Sequence, residues 1–485
     1  MLQVLVPFAG ALLCVALRQR VVARLFALSV AWLCLVIAGS LLATVLRQGT
    51  ISYELGGFSP PWGIEYRVDA ANAYVLVIVS AISSAVFAFG PLTAGAVIPE
   101  GRDNLFYAAL LLCLSGLLGI TITGDAFNVF VFLEIASLAS YTLIGLGQGR
   151  RAPLAAFSYL LMGTIGGTFF LLGVGLMYQM TGTLNMADLA QRLPAVQGTR
   201  TVALAMALLC VGVSIKLAVF PLHQWLPNAY SFAPSAVSAF LAATATKVMY
   251  YVLVRVVFTL FGAAFVFGVY KLQYLLLPLS LLAMFAGSLA AVYQTNVKRL
   301  LAYSSVAQIG YMTLGLAYNS VTGLAAGLMH LFNHALMKGG LFLVVACIAY
   351  RIHSVKIEDM RGLGRKMPLT MAAFVVGGLA VIGVPSTVGF ISKWYLVTAA
   401  LERHWYAVAF MIMLSSLLAL IYVWRVVEIA YFKPPLEDKP VKEASLSMLV
   451  PTWILIGATV YFGLTTDLTA GVAHAAARHL LGVAP

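Results

Sequence analysis

The residue types that could do chemistry stand where lipid-buried sequence normally has none. Glu134 lies about seven residues into the apolar run that starts near Phe127. Lys216 sits in VGVSIKLAVFPLHQWLPNAY, Lys247 in SAVSAFLAATATKVMYYVLVR, and Lys393 in GGLAVIGVPSTVGFISKWYL. His330, His334 and Lys338 recur every four residues in GLMHLFNHALMKGG, which places them on one helical face about 6 Å apart along the axis per step. One charge at the bilayer centre costs about 2.5 to 3.5 kcal/mol even on the lenient insertion scale. Several in one chain therefore imply a hydrated internal path or paired interior sites.

The chemistry these types support is proton handling. A carboxylate at depth must be protonated, paired or wet, and a buried ammonium is disfavoured by desolvation yet favoured by a nearby Glu. Movement of its partner would therefore switch Lys216. An imidazole titrates near neutral pH and passes a proton between its two ring nitrogens. The competing readings are a structural ion pair for Glu134, a snorkelling amine for Lys216, a polar pin between helices for Lys247, and satisfied helix contacts for the histidines. The excess of intramembrane lysines over acids favours the relay. The HxxxH spacing also occurs in metal sites, but no Cys, Asp or Glu accompanies it on that segment, so no metal is assigned. Arg425 and Glu428, three apart near the end of a late span, can pair and read as an anchoring salt bridge at least as readily as a proton-transfer pair.

Helices must position these groups. The 485 residues are 62% hydrophobic and only 9% charged, with a mean hydropathy of +0.98, against about a quarter charged in soluble domains. An ordinary soluble enzyme or a disordered adaptor is excluded. The pattern predicts an all-α polytopic membrane protein. At about 20 residues per span, apolar runs near 1–17, 25–46, 72–98, 105–122, 127–147, 157–179, 201–219, 234–257, 273–294, 300–317, 321–349, 370–400, 406–431 and 449–466 give fourteen helices. Pro221, Pro227 and Pro234 interrupt the region after the seventh, and Gly383, Pro385 and Gly389 interrupt the twelfth. Broken backbone at membrane depth is tolerated where it lines protein or water. Lys216 and Lys393 adjoin the two breaks on opposite sides, which hints at an internal inverted repeat.

The net charge of +13 is carried mainly by loops. Sixteen lysines and arginines, Lys298 and Lys439 among them, fall in odd-numbered loops and seven in even-numbered loops and the C-terminus. The positive-inside rule places the odd loops in the cytoplasm and both termini outside, and the excess reads as topology with no nucleic acid implied. Six cations remain at membrane depth: Lys216, Lys247, Arg255, Lys338, Lys393 and Arg425. Residues 47–71 admit a hairpin over the outer face and 182–195 a short helix starting near Asn185, against a plain linker in each case. The five cysteines lie in apolar stretches without CxxC spacing and read as core residues, and the N-terminal run reads as a first membrane helix in preference to a cleaved signal.

These same segments carry a family resemblance. GDAFNVFVFLEIASLASY at 124–141, SIKLAVFPLHQWLPNAYSFAPSAVSAFLAATATKVMYY at 214–251, KRLLAYSSVAQIGYM at 298–312, HLFNHALMKGG at 330–340 and PSTVGFISKWYL at 385–396 are similar to the antiporter-like membrane subunits shared by Mrp-type sodium/proton antiporters, respiratory complex I and membrane-bound hydrogenases. The resemblance implies two inverted five-helix units, 105–257 and 273–431, flanked by three helices in 1–98 and a final helix and tail in 449–485. It implies that Glu134 pairs with Lys216, that Lys247 is a central relay, that His330 and His334 form a later relay continued by Lys338, and that Lys393 is the terminal lysine of the outer half-channel.

Lysine at the terminal position is shared by the Mrp D-like, complex I L-like and complex I N-like variants, the short tail after the last span argues against the L-like and Mrp A-like ones, and AYSSVAQIGYM and FNHALMKGG are most similar to the Mrp D-like group. The implied activity is proton translocation within a monovalent cation (Na+)/H+ antiporter. The alternatives are the same module in a quinone-reductase or hydrogenase complex, and a structural subunit without its own proton path. No redox cofactor motif is present, so any oxidoreductase activity would belong to other subunits. The expected partners are other membrane subunits, H+ and Na+, and the bilayer of a bacterial or archaeal inner membrane.

Overall fold

The computed structural model describes residues 1–435 and 440–483, so Lys439 lies outside the described residues. In chain order, α1 (Leu2–Ala16) and α2 (Arg20–Gln48) precede an antiparallel hairpin of β1 (Ile51–Glu54) and β2 (Glu65–Val68). Then follow α3 (Ala70–Phe87), α4 (Asp103–Ile122), α5 (Ala126–Gly145), α6 (Arg151–Thr181), the short α7 (Met186–Arg192), α8 (Arg200–Leu217), α9 (Trp225–Phe232) and α10 (Ser235–Val254). The second half holds α11 (Gln273–Val292), α12 (Val297–Ala317), α13 (Val321–Ile352), α14 (Leu363–Lys366), α15 (Pro368–Ile382), α16 (Val388–Glu402), α17 (Tyr406–Phe432), α18 (Leu446–Leu464) and α19 (Asp467–Leu481). Among the described residues, twelve helices are long and apolar enough to cross a membrane, and α1 and α15 are shorter apolar helices. The chain is a mostly helical, multi-pass membrane protein.

The connections after α2 and α6 are structured. The hairpin pairs Ile51 with Val68 and Glu54 with Glu65, and the Glu65 carboxylate accepts from Ser52 Oγ at 2.7 Å and Asn185 Nδ2 at 2.8 Å. Asn185 in turn caps α7 by accepting from the Ala187 and Asp188 amides, so its side chain joins the two connections. The third apolar run ends earlier than its hydropathy suggests. Helix α3 stops at Phe87, and the Gly90 amide donates to the Ser447 carbonyl at 2.9 Å. A Cβ at Gly90 would fall 2.3 Å from Ser447 Oγ, so only glycine lets the chain turn against the start of α18.

Helix α13 is the axis of the second half. Nearly all of its side chains from Gly323 to Ile348 are buried, including its polar ones, and it packs against α10, α12, α15, α16, α18 and α19. A helix buried on every face needs such a setting. In the first half, α6 packs against α5 and α8, and α8 touches α10. These contacts bring Glu134, Lys216 and Lys247 to one side of α13 and Lys393 to another.

Candidate functional site

The first broken helix is built around Lys216. Helix α8 ends where Ala218 turns left-handed at φ 63°, and Pro221 follows without an amide to continue the ladder. The break leaves carbonyls open, and Trp225 Nε1 on the far side of it donates to Ile215 O at 2.9 Å. Lys216, in the last turn of α8 and 3% exposed, extends its amine to α5. There Nζ lies 2.7 Å from Ser137 Oγ, 3.4 Å from Glu134 Oε1 and 3.5 Å from Tyr141 OH. The three acceptors share one face of α5.

Helix α6 leaves space for that face. A Cβ at Gly167 would stand 2.4 Å from Glu134 Oε1, and one at Gly163 would stand 1.9 Å from Tyr141 OH. Tyr141 meets the Tyr159 ring edge-on at 4.7 Å, and Tyr159 stacks on Trp225 at 3.8 Å. The aromatic series ties the Lys216 site to the break.

Beyond this pair the acceptors change character. Lys247, fully buried in α10, donates to the Ala242 carbonyl and to Thr246 Oγ1. On α13, Lys338 donates to Leu301 O at 3.0 Å and to Ser304 Oγ, both on α12. His330 Nε2 donates to Gln308 Oε1 at 2.9 Å, which leaves Nδ1 to accept from the Ser392 hydroxyl at 2.8 Å. His334 lies parallel to His330 with centroids 6.3 Å apart, and neither of its buried ring nitrogens has a hydrogen-bond partner among the described residues. It lies within electrostatic reach of Lys247 and Lys338.

The second broken helix surrounds Lys393. Gly383, at φ 89°, ends α15, and a Cβ at Gly389 would fall 1.8 Å from Ala380 O, so the two half-helices meet almost backbone to backbone. Lys393 Nζ reaches across the break to the last carbonyls of α15, Val381 O at 3.0 Å and Ile382 O at 2.8 Å, and to Ser416 Oγ at 3.0 Å. The amine also stands 4.8 Å from the centre of the Tyr311 ring. The C-terminal end of a helix carries partial negative charge, so α15 itself acts as the counter-ion.

Three cations behave differently from their sequence reading. Arg255 finds an acid: its Nη2 lies 2.6 Å from Asp69 Oδ1, while Nε donates to Tyr251 OH at 2.9 Å. Burial alone would raise the Asp69 carboxyl, but Arg255 and, more weakly, His479 hold it below its ordinary value. Asp69 caps α3 and stands 186 positions from Arg255, so spacing gave no hint of the pair. Arg425 Nη1 donates to Val292 O at 2.6 Å and Gln294 O at 3.0 Å, and among the described residues it forms no ion pair with Glu428. Lys298 reads in the sequence as a solvated loop cation. It is instead 3% exposed at the start of α12, with Nζ on Ala233 O at 2.5 Å.

A helical membrane chain with two broken helices, each served by a lysine, and a polar seam between them has the form of an antiporter-like membrane subunit. Residues 123–419 match the model of the NADH:quinone oxidoreductase/Mrp antiporter transmembrane family, and the chain belongs to that family. It is 43% identical over 445 residues to the NADH-quinone oxidoreductase subunit N of Desulforudis audaxviator, covering 89% of this chain and 88% of that one. It is 29% identical over 483 residues to the D-type subunit of the Na(+)/H(+) antiporter of Bacillus subtilis, covering 99% and 96%. It also superposes on a chain of the Mrp complex from Dietzia sp. with a TM-score of 0.90 at 26% identity, covering 99% of this chain and 96% of that one. The chain is thus an antiporter-like membrane subunit of the Mrp or complex I type, with other membrane subunits as its partners.

Proposed function

We propose that this subunit moves protons across the membrane along Glu134, Lys216, Lys247, His334, His330, Lys338 and Lys393. One observation carries the reading. Lys216 faces a carboxylate, whereas among the described residues Lys247, Lys338 and Lys393 hydrogen-bond only carbonyl and hydroxyl oxygens. A neutral amine keeps such bonds, so those three lysines can lose and regain a proton without losing their place. With Glu134 close, Lys216 holds its proton. When the acid moves away or becomes neutral, the ammonium loses its compensation and passes charge toward Lys247, and from there through the histidines to Lys393. Charge stored at one buried amine disfavours charge at the next, which gives direction without a covalent intermediate.

Weight of similarity supports one parent assembly over the other. Identity of 43% to the quinone-oxidoreductase relative against 29% to the antiporter relative favours a quinone-reductase type of complex. The motifs read from the sequence favour the (Na+)/H+ antiporter, and the superposition on the Mrp complex keeps that second reading. Sodium dependence of proton flux in the native complex separates the two.

The layout that goes with this function is fourteen spans, two inverted units at 105–257 and 273–431, odd loops in the cytoplasm of a bacterial or archaeal inner membrane, and both termini outside. Support for the repeat comes from paired contacts. The backbone bridge between Asp125 and Asn185 recurs between Asn296 and Lys356. The close approach of Gly116 to Ala136 recurs as Gly287 to Ala307. One offset along the chain relates every residue of the first set to its counterpart in the second. Labelling of a single cysteine in 351–369 from the outer face would overturn the orientation.

The test of function is proton flux by the assembled complex in vesicles. Lys216→Ala and Lys393→Ala should each lower flux per complex by about tenfold or more, with normal assembly. Unchanged flux in both would overturn the relay.

A further inference from the structure

We propose that Lys298 is a second proton-loading group, reached from the odd-loop face through its own cavity and delivering to Lys338 along α12. The proposal rests on the relay described above: Lys298 loads Lys338 while Lys216 loads Lys247, and both charges are needed to drive the proton off Lys393.

The cavity has a volume of about 330 Å³, enough to hold several waters. Its walls come from the connections after α3, α5, α9, α11 and α13, all of which are odd loops. Its rim is exposed at Gly95, Gln148 and His353, and its depth is buried at Ser231, Ala233 and Lys298. A polar cavity that runs from solvent to a buried amine is the form an entrance takes. Lys298 has no carboxylate partner among the described residues, and its acceptor is the Ala233 carbonyl that follows the last turn of α9.

What lies above Lys298 makes the cavity more than a dead end. Leu301 and Ser304, one and two turns further along α12, present the carbonyl and hydroxyl that hold Lys338. Gln308, about 15 Å above Lys298 along the axis, presents the oxygen that holds His330 Nε2. His330 Nδ1 then accepts from Ser392, the neighbour of Lys393 in α16. The α12 and α13 faces thus form one polar seam from the cavity to the second break. Along it the neutral Lys298 amine takes a proton delivered from the solvent as hydronium through the cavity, leaving water behind, and becomes an ammonium. It then gives that proton to the neutral Lys338 amine and returns to its starting state. One ammonium disappears as the other forms, and no further reactant is needed.

The rival role for Lys298 is a cap on α9, in which only its charge and hydrogen bond matter. Lys298→Arg separates the two, because a guanidinium keeps both but does not release its proton. In vesicles carrying the native complex, Lys298→Arg should assemble in normal amount and lose about tenfold in flux. Ala94→Cys, on the cavity wall, provides a probe that does not depend on folding of the lysine variant. It should transport normally until N-ethylmaleimide is added from the odd-loop face, and then lose flux while the labelled parent does not. Flux within about twofold of the parent for Lys298→Arg, or no loss on labelling Ala94→Cys, overturns the second entrance. Lys216→Ala in the same vesicles is the reference. If it also keeps full flux, the relay reading itself has failed, whereas if it loses flux while the other two keep theirs, only the entrance has.

Discussion

The two broken helices solve the same problem with different partners. At the first, Lys216 belongs to the half-helix before the break and points away from it, to a carboxylate, a serine and a tyrosine on α5. At the second, Lys393 belongs to the half-helix after the break and points back into it, onto the free carbonyls of α15. A carboxylate can change charge or move, so it can govern when its lysine holds a proton. Main-chain carbonyls are fixed in charge and place, so they can hold a lysine ready but cannot switch it. In the proposed relay this difference separates control from exit: the first break is the gate and the second is a standing acceptor.

The Asp69–Arg255 pair is a useful contrast, because it is a buried ion pair away from both breaks. Asp69→Ala leaves a buried guanidinium uncompensated and should cost about 3 to 5 kcal/mol of stability, seen as a lower unfolding temperature of the complex, with flux per folded complex unchanged. The Asp69 carboxyl is held below its ordinary value, so its contribution is present above the usual carboxylate range and is lost as pH falls through the lowered value. Glu134→Gln should do the reverse, leaving assembly intact and lowering flux about tenfold. Equal losses of stability and flux in the two variants would erase the distinction between a structural and a switching acid.

Smaller changes sharpen the comparison further. Gly167→Ala sets a methyl 2.4 Å from Glu134 Oε1 and should shift the acid at a cost of about 1 to 3 kcal/mol, with reduced flux and a lower unfolding temperature. Ser416→Ala removes one of three acceptors from Lys393, and a single neutral hydrogen bond contributes about 0.5 to 1.5 kcal/mol. The two α15 carbonyls remain, so flux should change least of all. A loss at Ser416→Ala as large as at Glu134→Gln would mean that the second break is also governed by a side chain.

Much of this was legible because membrane sequence makes polar residues conspicuous. Glu134, the buried lysines and the four-residue spacing of His330, His334 and Lys338 stand out against apolar runs, and Pro221 and Gly383 mark breaks that the helices obey. The residues that escaped notice are those whose meaning lies on another element. Gly163 and Gly167 look like ordinary small residues until the Tyr141 hydroxyl and Glu134 carboxylate are seen in the space their missing side chains leave. Gln308 and Ser392 look like ordinary polar residues until both are seen on His330. Lys298 looks like a topology signal because Arg299 follows it at a loop boundary, yet the turn of α12 directs the lysine inward and leaves Arg299 less buried. Asp69 was hidden by its place at the end of a loop, and the end of α3 by an apolar run that continues past Gly90.

The central claim is that both break lysines act by releasing a proton and not by carrying charge. Arginine tests it, since it preserves the charge and the donors but does not release its proton under these conditions. The measurement is proton flux through the assembled complex, normalised to the amount of complex in the membrane, for Lys216→Arg and Lys393→Arg. Assembled complexes with little flux in both variants are the expected result, and near-normal flux in both would contradict the account and return the buried charges to a structural role.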